Sequence, residues 1–177
     1  MSATIRSAGV VVVDTLSTPS GVAGQSGGVE DDMGSMMFSV STRCPECGAL
    51  YHQGRWRWGL SYISAEQRVC PACDRVAKGA PAGMLVIPSD AVGGDGDTIL
   101  FLIRQTGGAE RRDDPLRRIV GIMGLTDGTG QGITVTTADA GLPAVLGRRL
   151  AAVLGGDVTM DADGPDGPVR VLWSRPL

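Results

Sequence analysis

Four cysteines stand in two pairs, Cys44 with Cys47 and Cys70 with Cys73, and 22 residues separate the pairs. Both pairs read Cys-Pro-x-Cys. Thiolates at this spacing can grip one ion from a tight turn, and four of them complete the tetrahedron that zinc prefers. Proline pre-sets each turn. Gly48 lets the chain leave the first turn with positive φ, so that backbone amides can point at the sulfurs. A closed four-thiolate site is structural rather than catalytic, because it leaves no coordination position for a substrate. Iron in a similar tetrahedron is the alternative metal. A redox dithiol needs a single Cys-x-x-Cys in a thioredoxin-like βαβ setting, which fits less well. His52, the one histidine of the chain, reads either as a ligand in place of a cysteine or as a neighbour of the site on the strand that follows. Four cysteines already fill the site, which favours the second reading.

Directly after the first pair comes Arg55-Trp56-Arg57-Trp58. A strand places both arginines on one face and both tryptophans on the other. In one reading the tryptophans lid the cysteine site and the arginines are solvated. In the other the stretch is a nucleic-acid surface, with arginines on phosphates and a ring available to stack on a base. Residues 42–80 hold six cations (Arg43, Arg55, Arg57, Arg68, Arg75, Lys78) against three acids (Glu46, Glu66, Asp74), a surplus of three in a chain of formal charge −3. A local phosphate contact by Arg55, Trp56, Arg57, Trp58 and Arg68 is therefore an expectation. The pairs Arg111-Arg112, Arg117-Arg118 and Arg148-Arg149 would extend that patch only by converging in space.

These residues need a scaffold. Residues 1–41 are rich in Ser, Gly and Thr, bury too little to fold alone, and are expected to be a disordered tail. Met33, Met36 and Met37 leave open a later start of translation. Residues 42–80 are the cysteine module. Residues 81–177 read as an α+β domain. A short strand over 84–87 precedes a short helix over 98–105 capped by Asp97, with a strand reading of that run nearly as good. A polar loop covers 107–114. Strands follow at 115–125 and 133–138, joined by a turn at Asp127-Gly128. Residues 142–156 are the strongest helix, with Leu142, Val145, Leu146, Leu150, Val153 and Leu154 on one stripe, Pro143 in the first turn, and Gly155 after the end. Strands at 157–160 and 169–175 close the fold. The expected class is α+β: a small four-cysteine zinc-ribbon module, then a compact antiparallel sheet with a packed helix.

Composition limits the alternatives. The chain has 177 residues, 42% hydrophobic and 4% aromatic, so its core must be mostly aliphatic. No apolar run reaches the roughly 18 residues of a membrane helix, and the run at 9–13 is too short for a signal peptide. A cytoplasmic setting, with its reduced thiols, is the expectation. No GxxxxGK[ST] occurs, so no nucleotide cofactor is implied. Gly128 to Gly132 reads as a hairpin. With one histidine and no partner at a suggestive spacing, no enzyme is expected.

The stretches RCPECGALYHQGRW, VCPACDRVAKGAPAGMLVI, TVTTADAGLPAVLGRRLAAVLGG and VRVLWSR together resemble a bacterial zinc-ribbon protein family of uncharacterised role. That family is in turn distantly similar to the N-terminal cysteine-rich region of the large-ribosomal-subunit export adaptor, nonsense-mediated-decay protein three. The resemblance spans about residues 43–175. It implies Cys44, Cys47, Cys70 and Cys73 as zinc ligands and a contact with RNA or a ribosomal particle nearby. This chain has one four-cysteine site where the adaptor has more cysteines. The expected function is thus a non-enzymatic zinc protein contacting RNA or a ribosomal particle. The alternative is a protein–protein adaptor that presents Trp56 or Trp58 to a protein partner.

Overall fold

The computed structural model of the protein describes residues 42–59, 65–124, 132–162 and 167–175. The expected tail at 1–41 and all but the last residue of the expected turn at 126–132 lie outside the described residues.

The chain enters at β1 (Thr42–Arg43), rounds the first cysteine pair, and returns as β2 (Leu50–His52) and β3 (Arg55–Arg57). Gly48, at φ 78°, takes the left-handed conformation that the first turn requires. Gln53 and Gly54 both have positive φ, the two-residue hairpin turn whose twist suits antiparallel strands. After β4 (Glu66–Gln67) comes helix α1 (Pro71–Lys78). The second Cys-Pro-x-Cys is therefore no simple turn. Cys70 is the N-cap of α1, Pro71 occupies the first helical position, and Gly79 ends the helix in the left-handed conformation. The four strands form a small mixed sheet in the order β3-β2-β1-β4, with β1 and β4 parallel.

The rest of the chain runs through β5 (Gly83–Ile87), α2 (Ser89–Val92), α3 (Gly96–Asp113), β6 (Ile119–Gly124), β7 (Ile133–Thr137), α4 (Leu142–Leu154), β8 (Asp157–Ala162) and β9 (Val169–Ser174). Five strands pair in the order β6-β7-β5-β9-β8. The class is α+β, as expected. Three of the pairings are antiparallel, but β5 and β9 run parallel, so the sheet is mixed. Most of the domain's chain lies between those two strands, and no hairpin constrains their direction.

The largest departure from expectation is α3. The helix does not stop near residue 105 but continues through Gly107, Gly108 and Arg112 for 18 residues. Two adjacent glycines disfavour a helix locally. Gly107, however, is buried against Ile119, where a Cβ would come within 2.5 Å of the Ile119 Cδ1. Close packing thus overrides propensity. Arg111 and Arg112 in the last turn also suit the helix dipole.

One face of the five-stranded sheet carries the core. Leu85, Ile87, Val135, Val171 and Trp173 alternate inward and meet Ile99, Leu102 and Ile103 of α3 and Leu142, Leu146 and Leu150 of α4. On α4 the expected stripe is narrower than predicted, since Val153 is exposed. Gly147 instead faces the sheet, where a Cβ would lie 3.2 Å from Val158 Cγ1, so its lack of a side chain sets how closely α4 approaches. Asp139 Oδ1 accepts from the N–H groups of Gly141 and Leu142 and ties down the first turn of α4. The core is aliphatic apart from Trp173, whose indole N–H donates to the Gly155 carbonyl at 3.0 Å. Among the described residues no helix is long and apolar enough to cross a membrane.

Candidate metal centre

The β1–β2 turn and the start of α1 bring the four cysteines together. Their Sγ atoms all lie within 4.8 Å of one another, and Cys47 Sγ is 3.7 Å from Cys70 Sγ. A zinc–sulfur bond of about 2.3 Å places the corners of a tetrahedron about 3.8 Å apart, so the set fits a dication at its centre with little movement. Cys44, Cys70 and Cys73 are buried and Cys47 is half-buried, so the site is closed on most sides.

Backbone geometry supports charge on these sulfurs. The Cys70 N–H donates to Cys44 Sγ at 3.3 Å, and the Cys73 N–H donates to Cys70 Sγ at 3.4 Å. The N-terminus of α1 adds its positive dipole end at Cys70 and Cys73. Four thiols this close cannot all ionise without a cation among them. A hydrogen bond from Cys70 pulls the Cys47 thiol down to about 5. The same contact and burial push Cys70 up. Burial pushes Cys73 up, partly offset by the Arg118 guanidinium. The metal-free cluster therefore retains protons that an entering dication must displace.

The cluster is not confined to its own module. Ala138, Leu116 and Val120, beside or within β6 and β7, pack with the cysteines, Ala72 and Ala49. Arg118 Nη1 donates to Cys73 Sγ at 3.0 Å. Arg111 is exposed, yet its guanidinium lies within electrostatic reach of Cys47, Cys73 and Arg118, and partial desolvation together with the Arg118 charge lowers its pKa. Arg117 turns the other way and pairs with Glu110. The exposed Arg148 and Arg149 lie on α4. Arg111 and Arg118 thus converge on the cysteine cluster, while Arg117 is engaged by Glu110 and Arg148 and Arg149 stay exposed on α4. The sequence marked Arg118 only as one of several arginine pairs, and the docking of the sheet onto the cysteine module turns it toward sulfur.

His52 lies on β2, opposite Arg55. It is outside the cluster of metal-ligating groups, which among the described residues comprises the four cysteines alone. On β3 and just after it, Arg55 and Arg57 point outward, while Trp56 and Trp58 are half-buried and pack against the cysteine cluster. Trp56 also meets the Tyr51 ring at 5.5 Å between centroids, and Trp58 donates its indole N–H to the Arg111 carbonyl at 2.6 Å. Arg57 Nη2 donates to the His52 carbonyl at 3.2 Å. Arg68 is exposed but follows β4, at the opposite edge of the small sheet from β3. Three strand spacings, about 14 Å, separate those edges. The arrangement thus joins Arg55 with Arg57 and sets Arg68 apart from them.

Compared with models of protein families, with curated proteins and with solved structures, the chain matches none.

Proposed function

We propose that the protein is a non-enzymatic zinc-binding protein whose ribbon contacts the phosphate backbone of RNA, free or in a ribosomal particle. The observation that carries this reading is the split of β3 and the residue after it: Arg55 and Arg57 face solvent while Trp56 and Trp58 face the cysteine cluster. The tryptophans then act as the lid that a small module with little aliphatic core requires. That placement weakens the adaptor alternative, which needed an outward tryptophan as its anchor. It also removes Trp58 as a stacking platform for a base. What remains outward is paired positive charge, in a module that is the basic part of an acidic chain, and such charge suits phosphates.

Zinc is the metal best suited to four thiolates in a tetrahedron, and a filled tetrahedron holds the module together without performing a reaction. The resemblance to a bacterial zinc-ribbon family, itself distantly similar to the ribosomal export adaptor's cysteine-rich region, would point the same way. Tagged protein recovered from its own cell lysate, with and without ribonuclease, tests the reading. Co-purifying RNA or ribosomal proteins that are lost on ribonuclease or salt treatment support it. A discrete protein retained through both treatments replaces it with the adaptor reading.

A further inference from the structure

We infer that Arg118, delivered by the five-stranded sheet, is a positioning residue for the metal centre, and that through it metal binding fastens the cysteine module to the sheet. The inference rests on the metal reading above. Arg118 and Cys73 are 45 positions apart, yet Nη1 donates to Sγ at 3.0 Å. The backbone of Arg118 is held by the sheet, since its carbonyl accepts from the Ala138 N–H at 2.9 Å just beyond β7. The direction of the side chain is therefore set by the register of β6 against β7, and its tip is set by the sulfur.

Charge makes the contact more than incidental. A guanidinium cannot shed its proton to escape burial. Arg118 Nε is buried with no hydrogen-bond partner, a costly state for a cation without an anion beside it. Among the described residues no ion pair joins Arg118 to a carboxylate, unlike Arg117 with Glu110 and Arg175 with Asp95. The thiolates take that place. Four thiolates around a dication carry two net negative charges, and Arg118 with the nearby Arg111 supplies two positive ones. Groups that hydrogen-bond to metal ligands orient them and tune their donor strength. Arg118 does this from outside the module that contains the ligands, so the metal centre is complete only when the module and the sheet are docked.

The full-length chain, loaded with zinc or cobalt(II), tests this. The two readouts are the rate of zinc release to a chromogenic chelator and the energy of the sulfur-to-cobalt charge-transfer band. Arg118→Met should speed zinc release by about 10- to 100-fold and move the band to lower energy, because a thiolate without its donor gives up electrons more readily. Arg118→Lys should fall between Arg118→Met and wild type, since it restores charge but not the fork of N–H groups. Arg117→Met, which removes the adjacent cation, should leave the band in place. If Arg118→Met does not fold, the Arg118→Lys band must still move. Wild-type release and an unmoved band in the Arg118 variants would overturn the inference while leaving the metal site intact. Failure of the wild-type chain to bind zinc or cobalt would overturn the metal reading and this inference with it.

Discussion

Trp58 donates its indole N–H to the backbone carbonyl of Arg111 across 2.6 Å, tying the end of the cation–aromatic run to the last turn of α3. This bond and the Arg118–Cys73 contact are polar links between the cysteine module and the α+β layer. Trp58→Phe keeps most of the ring and removes the donor. It should lower stability by about 1 kcal/mol in denaturant titration, the usual net worth of one hydrogen bond. RNA affinity should stay unchanged in the same variant, because the ring faces inward. A large loss of RNA binding with unchanged stability would return Trp58 to the role of a stacking platform.

Metal removal should act on one part of the chain. The cysteine module has few aliphatic residues, and metal binding in such modules supplies on the order of 10 kcal/mol of folding free energy. The five-stranded sheet has its own core around Leu85, Leu146 and Trp173. Chelation should therefore abolish the near-ultraviolet signal of Trp56 and Trp58 and leave that of Trp173. Loss of all three signals together would mean that the sheet cannot stand without the metal.

The response to alkaline pH should differ with and without metal. In the metal-free protein Cys47 is lowered to about 5, so its contribution is present above the unfolded value of about 8.5 and is lost as pH falls through 5. Cys70 and Cys73 are raised, so theirs is present below about 8.5 and is lost as pH climbs through their folded values. Metal-free stability should thus rise from pH 5, peak near 8.5, and fall beyond it. With metal all four thiols are held as thiolates, so stability should rise with pH up to about 8.5, where the unfolded thiols ionise, and level off beyond it. Urea midpoints at a series of pH values, with and without metal, check this. Parallel profiles would mean that the thiols do not titrate as the cluster requires.

The two adjacent glycines of α3 should respond with opposite signs. Gly108 has open space where a Cβ would go, so Gly108→Ala should stabilise by about 0.4–1 kcal/mol through the unfolded chain. At Gly107 a side chain meets Ile119, so Gly107→Val should destabilise by about 1–3 kcal/mol through overpacking. Thermal unfolding of both variants checks the pair. A tolerated valine at Gly107 would show that α3 does not press on β6 as described.

The cysteine cluster was legible because it is local: two Cys-Pro-x-Cys pairs mark by spacing alone the four thiols that come together. The strands at β5 and β9 were legible for a similar reason, β5 as a short apolar run bounded by Gly83 and Pro88 and β9 through its alternation of inward and outward residues. The C-terminal half of α3 was not, because Gly107 is helical only through its contact with Ile119 on another element. The parallel pairing of β5 with β9 was hidden likewise, since no turn signal marks a crossover. Arg118 and the Arg111 carbonyl join the site only through docking, and no spacing in the chain points to them.

If the outward arginines of a metal-held ribbon contact RNA phosphates, binding must respond to salt and to the charge at those two positions. Anisotropy of a labelled single-stranded RNA, titrated with zinc-loaded protein at several salt concentrations, reads both. The predicted result is a linear fall of log K with log salt for wild type. The slope should be shallower by about 1.4 in Arg55→Gln with Arg57→Gln, at about 0.7 for each phosphate no longer neutralised. Binding should be abolished in Arg55→Glu with Arg57→Glu. Affinity and slope unchanged in the double glutamate variant, or no RNA binding by wild type at low salt, would contradict an RNA-binding role for the ribbon.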